Sequence, residues 1–345
     1  MPRAAITAEL TEIGRVDDIV ALLDRIERGE CCSVIGVSNI GKSAFLRALA
    51  ADSLLEARFG EAASAYALVY IDLNRMLHAS EQGLYELVLR CLREWLEEHP
   101  EGSSSDLIAP LDASYGDVVQ PDSAFAVPLA FNRGISALVQ GAGRRIVLLL
   151  DEFDDALSRI EGRVFLNLRA LRDQYGDALC YVTSTGKRLP LIRDAEDVGV
   201  EEFCELFAAR EQRLRPLSAH DAQRFVARVA REGQLGLPEE WLRETVRQVG
   251  GHPGLLEAAA YRAVRLYAET GSAGASGLER LADALDADET VRAECLKLWD
   301  DLALGERQAL DEYVRTGTTR LTSALHSLTL KGLLADNGAG LAPFA

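Results

Sequence analysis

The chain has 345 residues, 48% of them hydrophobic and 26% charged, which excludes a disordered or low-complexity chain and leaves apolar material for two or three domains. Its formal charge of −17 excludes a protein that coats nucleic acid non-specifically, because neutralising phosphates takes clustered Lys and Arg; a local basic face is still open to it. No apolar run reaches the roughly 20 residues of a bilayer span, and the start "MPRAAITAELTEIGR" lacks the apolar stretch of a signal peptide, so a cytoplasmic chain without a membrane partner is expected.

The first element is a helix over "TEIGRVDDIVALLDRIERGE", with Ile19, Leu22, Leu23 and Ile26 at helical spacing and Gly29 closing it. Four apolar runs of strand length follow: "CCSVIG" (31–36), "YALVYIDL" (66–73), "RIVLLLD" (145–151) and "LCYVTST" (179–185). They are nearly continuous rather than alternating, which suits strands covered on both faces, as in a parallel sheet. Helical patterns over 42–51, 80–98, 126–141 and 156–174 separate them, and that alternation predicts an α/β sandwich. The segment 99–123, rich in Pro, Gly, Ser and Asp, reads as a long loop insertion. "QRLRPL" (212–217) is a weaker fifth strand.

After Leu217 the pattern is helical throughout. Ser218 is a candidate N-cap, two segments end in Gly, and "SAGASG" (272–277) is a flexible spacer. The last part, 288–345, reads as two or three helices and a hairpin at Asp336-Asn337-Gly338, the order of a winged helix. The expected division is a core over 1–217, a helical domain over 218–287 and a winged-helix-like domain over 288–345. The six cysteines, Cys31, Cys32, Cys91, Cys180, Cys204 and Cys295, show no CxxC spacing, so reduced, mostly buried thiols are expected rather than disulfides or zinc.

Two motifs carry chemistry. Gly36-Val37-Ser38-Asn39-Ile40-Gly41-Lys42-Ser43 matches GxxxxGK[ST] in full, between a buried-type strand and an amphipathic helix. In such a loop the glycines turn main-chain N–H groups, through Ala44, toward phosphate oxygens. Lys42 reaches the β- and γ-phosphates, Ser43 offers a hydroxyl to Mg²⁺, and the helix start aims its positive end at the anion. The second motif is Asp151-Glu152 at the end of the third strand, where ligands of parallel sheets sit. Asp151 is placed to hold Mg²⁺ with Ser43, and Glu152 to take a proton from the attacking water. Asp154 and Asp155 read more simply as helix N-terminal acids. Thr183, Ser184 and Thr185 end the fourth strand; any of the three hydroxyls could sense the γ-phosphate, or all could be ordinary strand residues.

Gly14-Arg15 with Asp17-Asp18, the phosphate loop, "VYIDL", "IVLLLDEFDDAL", "RLRPLSAHDAQRFV" and "GGHPGLLEAA" together resemble the STAND class of P-loop ATPases, within the AAA+ group, over nearly the whole chain. The closest likeness is to bacterial STAND-type ATP-binding proteins of signalling and anti-phage modules. The resemblance implies a P-loop core with a parallel sheet, an all-α lid and a winged helix, with ATP or ADP and Mg²⁺ as cofactors. It implies that His252 and Pro253 approach the nucleotide from the lid, although the pair also fits a helix N-cap with a first-turn proline, and that Gly14-Arg15 lies near base and ribose. The winged-helix histidine of some relatives is not visible, His326 is no obvious stand-in, and the arginine finger is unassigned, Arg210 and Arg188 being candidates. The expected function is a slowly hydrolysing ATP switch that self-associates or signals through a protein effector on another chain. The alternative is a DNA-engaging AAA+ ATPase, initiator-like or a transposition regulator, with Arg320, Lys331 and His326 near phosphates. A nucleotide-binding scaffold without turnover is the third reading.

Overall fold

Strands buried on both faces need helices on both faces, and the chain supplies them. The computed structural model describes residues 14–100, 105–193, 197–233, 235–270, 275–336 and 341–343. Its contacts divide the chain into two units. One comprises Asp17–Ile35 and Lys42–Gln212; the other takes residues 14–16, the loop Gly36–Gly41 and the chain from Arg213 onward.

The first unit is a three-layer α/β structure. Helix α1 (Val16–Glu27) leads to β1 (Cys32–Ile35), α2 (Lys42–Leu49) and α3 (Asp52–Phe59). Then come β2 (Tyr66–Asp72), α4 (Glu81–Glu98), α5 (Ser105–Val119), α6 (Ala126–Ala142) and β3 (Arg145–Asp151). The unit closes with α7 (Phe153–Arg159), α8 (Gly162–Tyr175), β4 (Leu179–Thr185), α9 (Val198–Glu205) and β5 (Glu211–Arg213). The sheet order is β2-β3-β4-β1-β5, with β2–β3, β3–β4 and β1–β4 parallel. β1 and β4 are buried along their whole length, which explains the unbroken apolar runs. On α1 the buried residues are Ile19, Leu22, Leu23 and Ile26. Phe153, Phe165, Phe203 and Tyr181 form an aromatic cluster beside the sheet.

The expected loop over 99–123 is corrected: residues 105–119 form α5, with Pro110 inside it. Leu107, Leu111 and Val118 are buried and recur near helical spacing. Packing against α4 and α6 therefore overrides a turn-rich composition. Gly134 on α6 makes the close approach possible, since a Cβ there would lie 2.9 Å from Leu89. The helix expected over 156–174 is two, α7 and α8; Ile160 turns extended between them (φ −77°, ψ 144°) and buries its side chain.

The second unit holds α10 (Ala219–Glu232), α11 (Glu239–Val249), α12 (Pro253–Thr270), α13 (Ala275–Glu279), α14 (Leu281–Asp286) and α15 (Glu289–Asp300). It continues with α16 (Leu304–Thr316), α17 (Thr322–Leu330), β6 (Leu334–Asp336) and β7 (Leu341–Pro343). Ser218 caps α10 by accepting from the Asp221 N–H at 3.1 Å. The end of the chain is three helices and an antiparallel β6–β7 ribbon, the element order of a winged helix; the turn residues Asn337 and Gly338 lie outside the described residues. The expected lid and terminal domain fall in one unit. No helix among the described residues is long and apolar enough to cross a membrane. All six cysteines are free thiols; five are buried or half-buried and Cys295 is exposed.

Candidate nucleotide site

In the first unit, the C-terminal edge of the sheet gathers the charged side chains. Lys42 opens α2 and is only 9% exposed. Asp151 ends β3, beside Asp72 of β2 in register, and is 1% exposed. A buried carboxylate needs donors; Asp151 has the Tyr70 hydroxyl at 2.7 Å on Oδ2 and the Glu152 N–H at 3.1 Å on Oδ1. Burial, then the bond to Asp151, pushes the Tyr70 phenol well up, so it stays a donor. Arg47 of α2 lies over the Tyr70 ring, 5.0 Å from its centroid.

Glu152 stands in the left-handed region, φ 54° and ψ 45°, a conformation that costs a non-glycine residue about 1 kcal/mol. Burial raises its carboxyl above the usual range, against the Lys42 ammonium. A carboxylate poised that way is better suited to take a proton near neutral pH. Asp154, read from sequence as a helix-start acid, does begin α7, but it also accepts from the Gly186 N–H at 3.0 Å, tying α7 to the end of β4.

The three β4 hydroxyls separate. Thr185 Oγ1 donates to the Lys187 carbonyl at 2.7 Å. Thr183 and Ser184 are fully buried, and their hydroxyls have no partner among the described residues. Thr183 faces Leu150 across the β3–β4 ladder, so Ser184, one step on, lies beside Asp151. Of the arginine-finger candidates, Arg188 pairs with Glu211 at 2.6 Å, and Arg210 donates to the Leu206 carbonyl at 3.3 Å.

In the second unit, the loop Gly36–Gly41 is held from several sides. Val37 and Ile40 are buried. Arg15 is buried too and donates to the Ile40 carbonyl at 2.7 Å and to the Arg215 carbonyl at 2.8 Å, which makes it a brace for the loop. His252 Nε2 meets the Ser38 carbonyl at 2.9 Å, and its Nδ1 accepts from the Leu255 N–H at 3.3 Å. It thus caps α12 and touches the loop at once, while Pro253 opens the helix. These bonds require the neutral Nε2–H tautomer; burial lowers the imidazole to about 4. The Gly254 N–H donates to the Asn39 carbonyl at 3.1 Å, and a Cβ at Gly254 would come within 2.7 Å of the Asn39 Cβ. Asn39 and Gly41 have φ of 55° and 94°, the positive values a tight phosphate-binding turn uses.

Two residues that sequence reasoning did not single out also meet this loop. Asp301 accepts from the Ser38 N–H at 2.6 Å, and Glu294 accepts from the Asn39 side-chain amide at 2.6 Å. No sequence signal points to them. A carboxylate on a main-chain N–H of this loop acts as a stand-in anion, so the loop's donor chemistry fits a phosphate tail. Ser43 is half-buried and Ala44 exposed at the start of α2; the Ser43 hydroxyl and the Asp151 carboxylate are of the kind a nucleotide-bound Mg²⁺ takes as ligands.

No protein-family model matches the chain, and no curated protein sequence does. Solved structures do. The Walker-type ATPase PABY2304 of Pyrococcus abyssi matches with a TM-score of 0.56 and 16% identity, over 95% of this chain and 92% of that one. The Orc1 protein of Aeropyrum pernix in complex with DNA matches at 0.47 and 12%, over 96% and 89%. Cdc6p of Pyrobaculum aerophilum matches at 0.46 and 13%, over 97% and 88%. The likeness to the Pyrococcus protein shows the fold, that of a P-loop ATPase.

Proposed function

We propose that this chain is a magnesium-dependent ATPase. The observation that supports it most is the full GxxxxGK[ST] loop between β1 and α2, with Lys42 buried at the helix start, Asp151 ending β3 and Glu152 following it. Lys42 and the main-chain N–H groups from Gly36 to Ala44 hold the phosphates. Ser43 and Asp151 hold the ion, Asp151 being oriented by Tyr70. Bound Mg²⁺ supplies positive charge to the phosphate oxygens as they are transferred. Glu152 orients the attacking water and takes its proton. His252 meets the Ser38 carbonyl of the loop and Pro253 opens the same helix, so a nucleotide held by the loop is felt at α12.

The test is calorimetric titration with Mg-ATP and measurement of phosphate release. Lys42→Ala loses ATP binding, whereas Glu152→Gln keeps it and slows release about a hundredfold or more. Undiminished binding by Lys42→Ala, or undiminished release by Glu152→Gln, overturns the assignment. Slow hydrolysis by the wild type is part of the proposal.

For the role of that ATPase, engagement of DNA is the preferred reading, supported by the three helices and ribbon at the end of the chain. Arg320 and His326 are exposed there. Lys331 pairs with buried Glu306 at 2.6 Å, which leaves it less free to meet a phosphate than Arg320 and His326. A gel shift that weakens steeply with salt supports this reading; retention of mobility at low salt rejects it. The STAND-type switch with a protein effector or self-association rests on the sequence resemblance alone. A mass by light scattering that changes between ADP and a non-hydrolysable ATP analogue would favour it.

A further inference from the structure

Helix α15 ends in Asp300 and Asp301, two acids at the end of a helix whose dipole disfavours negative charge. Something must offset that placement. Asp301 Oδ2 accepts from the Ser38 N–H of the phosphate loop at 2.6 Å. On the same helix, Glu294 holds the Asn39 side chain at 2.6 Å, and Lys297 and Asn39 keep its carboxyl low despite its burial. The chain after α15 is anchored as well: buried Glu306 accepts from the Ala303 N–H at 2.7 Å and from Lys331 at 2.6 Å. A loop whose N–H groups attract phosphate will attract any well-placed anion.

We infer that Asp301 is an internal anion that competes with the phosphates of a nucleotide for the loop, Glu294 pinning Asn39 beside it, so that α15 sets how tightly the loop takes nucleotide and which one. The inference rests on the reading of the chain as a nucleotide binder. Repulsion between Asp301 and the ligand grows with ligand charge, and ATP carries one more negative charge than ADP. Asp301 therefore penalises ATP more. By reciprocity, whatever draws α15 off the loop raises ATP affinity, and ATP binding loosens α15 by the same factor.

The experiment uses the full chain as wild type, Asp301→Asn and Glu294→Gln, titrated with Mg-ATP and Mg-ADP, with hydrogen exchange at the loop followed before nucleotide is added. Asp301→Asn keeps shape and acceptor and removes the charge. It is expected to bind ATP about tenfold more tightly than wild type, to gain less for ADP, and to exchange faster at the loop. Wild type and Asp301→Asn binding ATP equally well overturns this inference and leaves the nucleotide-binding reading intact. Absence of binding by every protein overturns both. Should Asp301→Asn fail to fold, Glu294→Gln is read in its place: about threefold tighter ATP binding supports the inference, and equal or weaker binding overturns it.

Discussion

The hydroxyl of Tyr70, near the end of β2, donates to the buried Oδ2 of Asp151 at the end of β3, 2.7 Å away. The two residues are 81 positions apart in the chain and meet because their strands are neighbours in the sheet. The bond takes up one lone pair of a carboxylate that is 1% exposed and fixes its rotation. Tyr70→Phe should leave that oxygen short of a donor, lowering unfolding free energy by about 1–2 kcal/mol in urea titration. Because Asp151 would then be misoriented, phosphate release should fall about tenfold while ATP affinity changes little. Unchanged turnover would mean that Tyr70 only packs.

Glu152 holds its left-handed backbone without being glycine. Glu152→Gly should relieve that strain and remove a half-buried carboxylate, raising stability by about 0.5–1 kcal/mol in thermal or urea unfolding. The same variant should lose phosphate release. A protein stabilised and inactivated by one change is the signature of strain kept for function; a destabilised Glu152→Gly would show that the backbone there is unstrained.

Stability should depend on acid through His252. Its imidazole is lowered to about 4 in the folded chain, against about 6.5 when unfolded. Between those values the unfolded state binds the proton and the folded state does not, so stability is complete above the unfolded value and falls as pH drops toward the folded one. The loss amounts to about 3 kcal/mol at full protonation. Urea titrations at pH 7.5 and pH 5 should show it, and His252→Gln should flatten the difference, although its stability at pH 7.5 will be lower because the Ser38 and Leu255 contacts are disturbed. Parallel pH curves for the two proteins would count against the buried neutral imidazole.

The β4 hydroxyls make opposite predictions. Thr183 and Ser33 are partners in the β1–β4 ladder, both buried with unbonded hydroxyls among the described residues. Thr183→Val should therefore be neutral to stabilising, by up to about 1 kcal/mol, with turnover preserved. Ser184, beside Asp151, should matter to the chemistry: Ser184→Ala is expected to slow phosphate release about tenfold with stability held within about 0.5 kcal/mol. Equal turnover in both variants would remove Ser184 as the sensor.

The parallel sheet was legible because two-sided burial writes itself as unbroken apolar runs, as in β3 and β4. The glycine-rich loop and the acid pair could be singled out because each is contiguous in the chain. Helix α5 was not, since its Ser, Pro, Asp and Gly content describes the exposed face while a few spaced apolar residues do the packing. Asp301 was beyond reach for a different reason. Its contact with Ser38 spans 263 positions, and an acid at a helix end looks like any other solvated charge. Nor could the left-handed turn at Glu152 be read from "LLLDEFDD", because nothing in the residue type favours it.

Cysteine placement gives the molecule an experimental handle. Five of its thiols are shielded, several pushed up to between about 11 and about 12 by burial, and will resist alkylation. Cys295 alone faces outward, next in sequence to the Glu294 that grips Asn39. A maleimide dye should attach there without mutagenesis, and its brightness would report in real time whether α15 is seated on the loop or has let go.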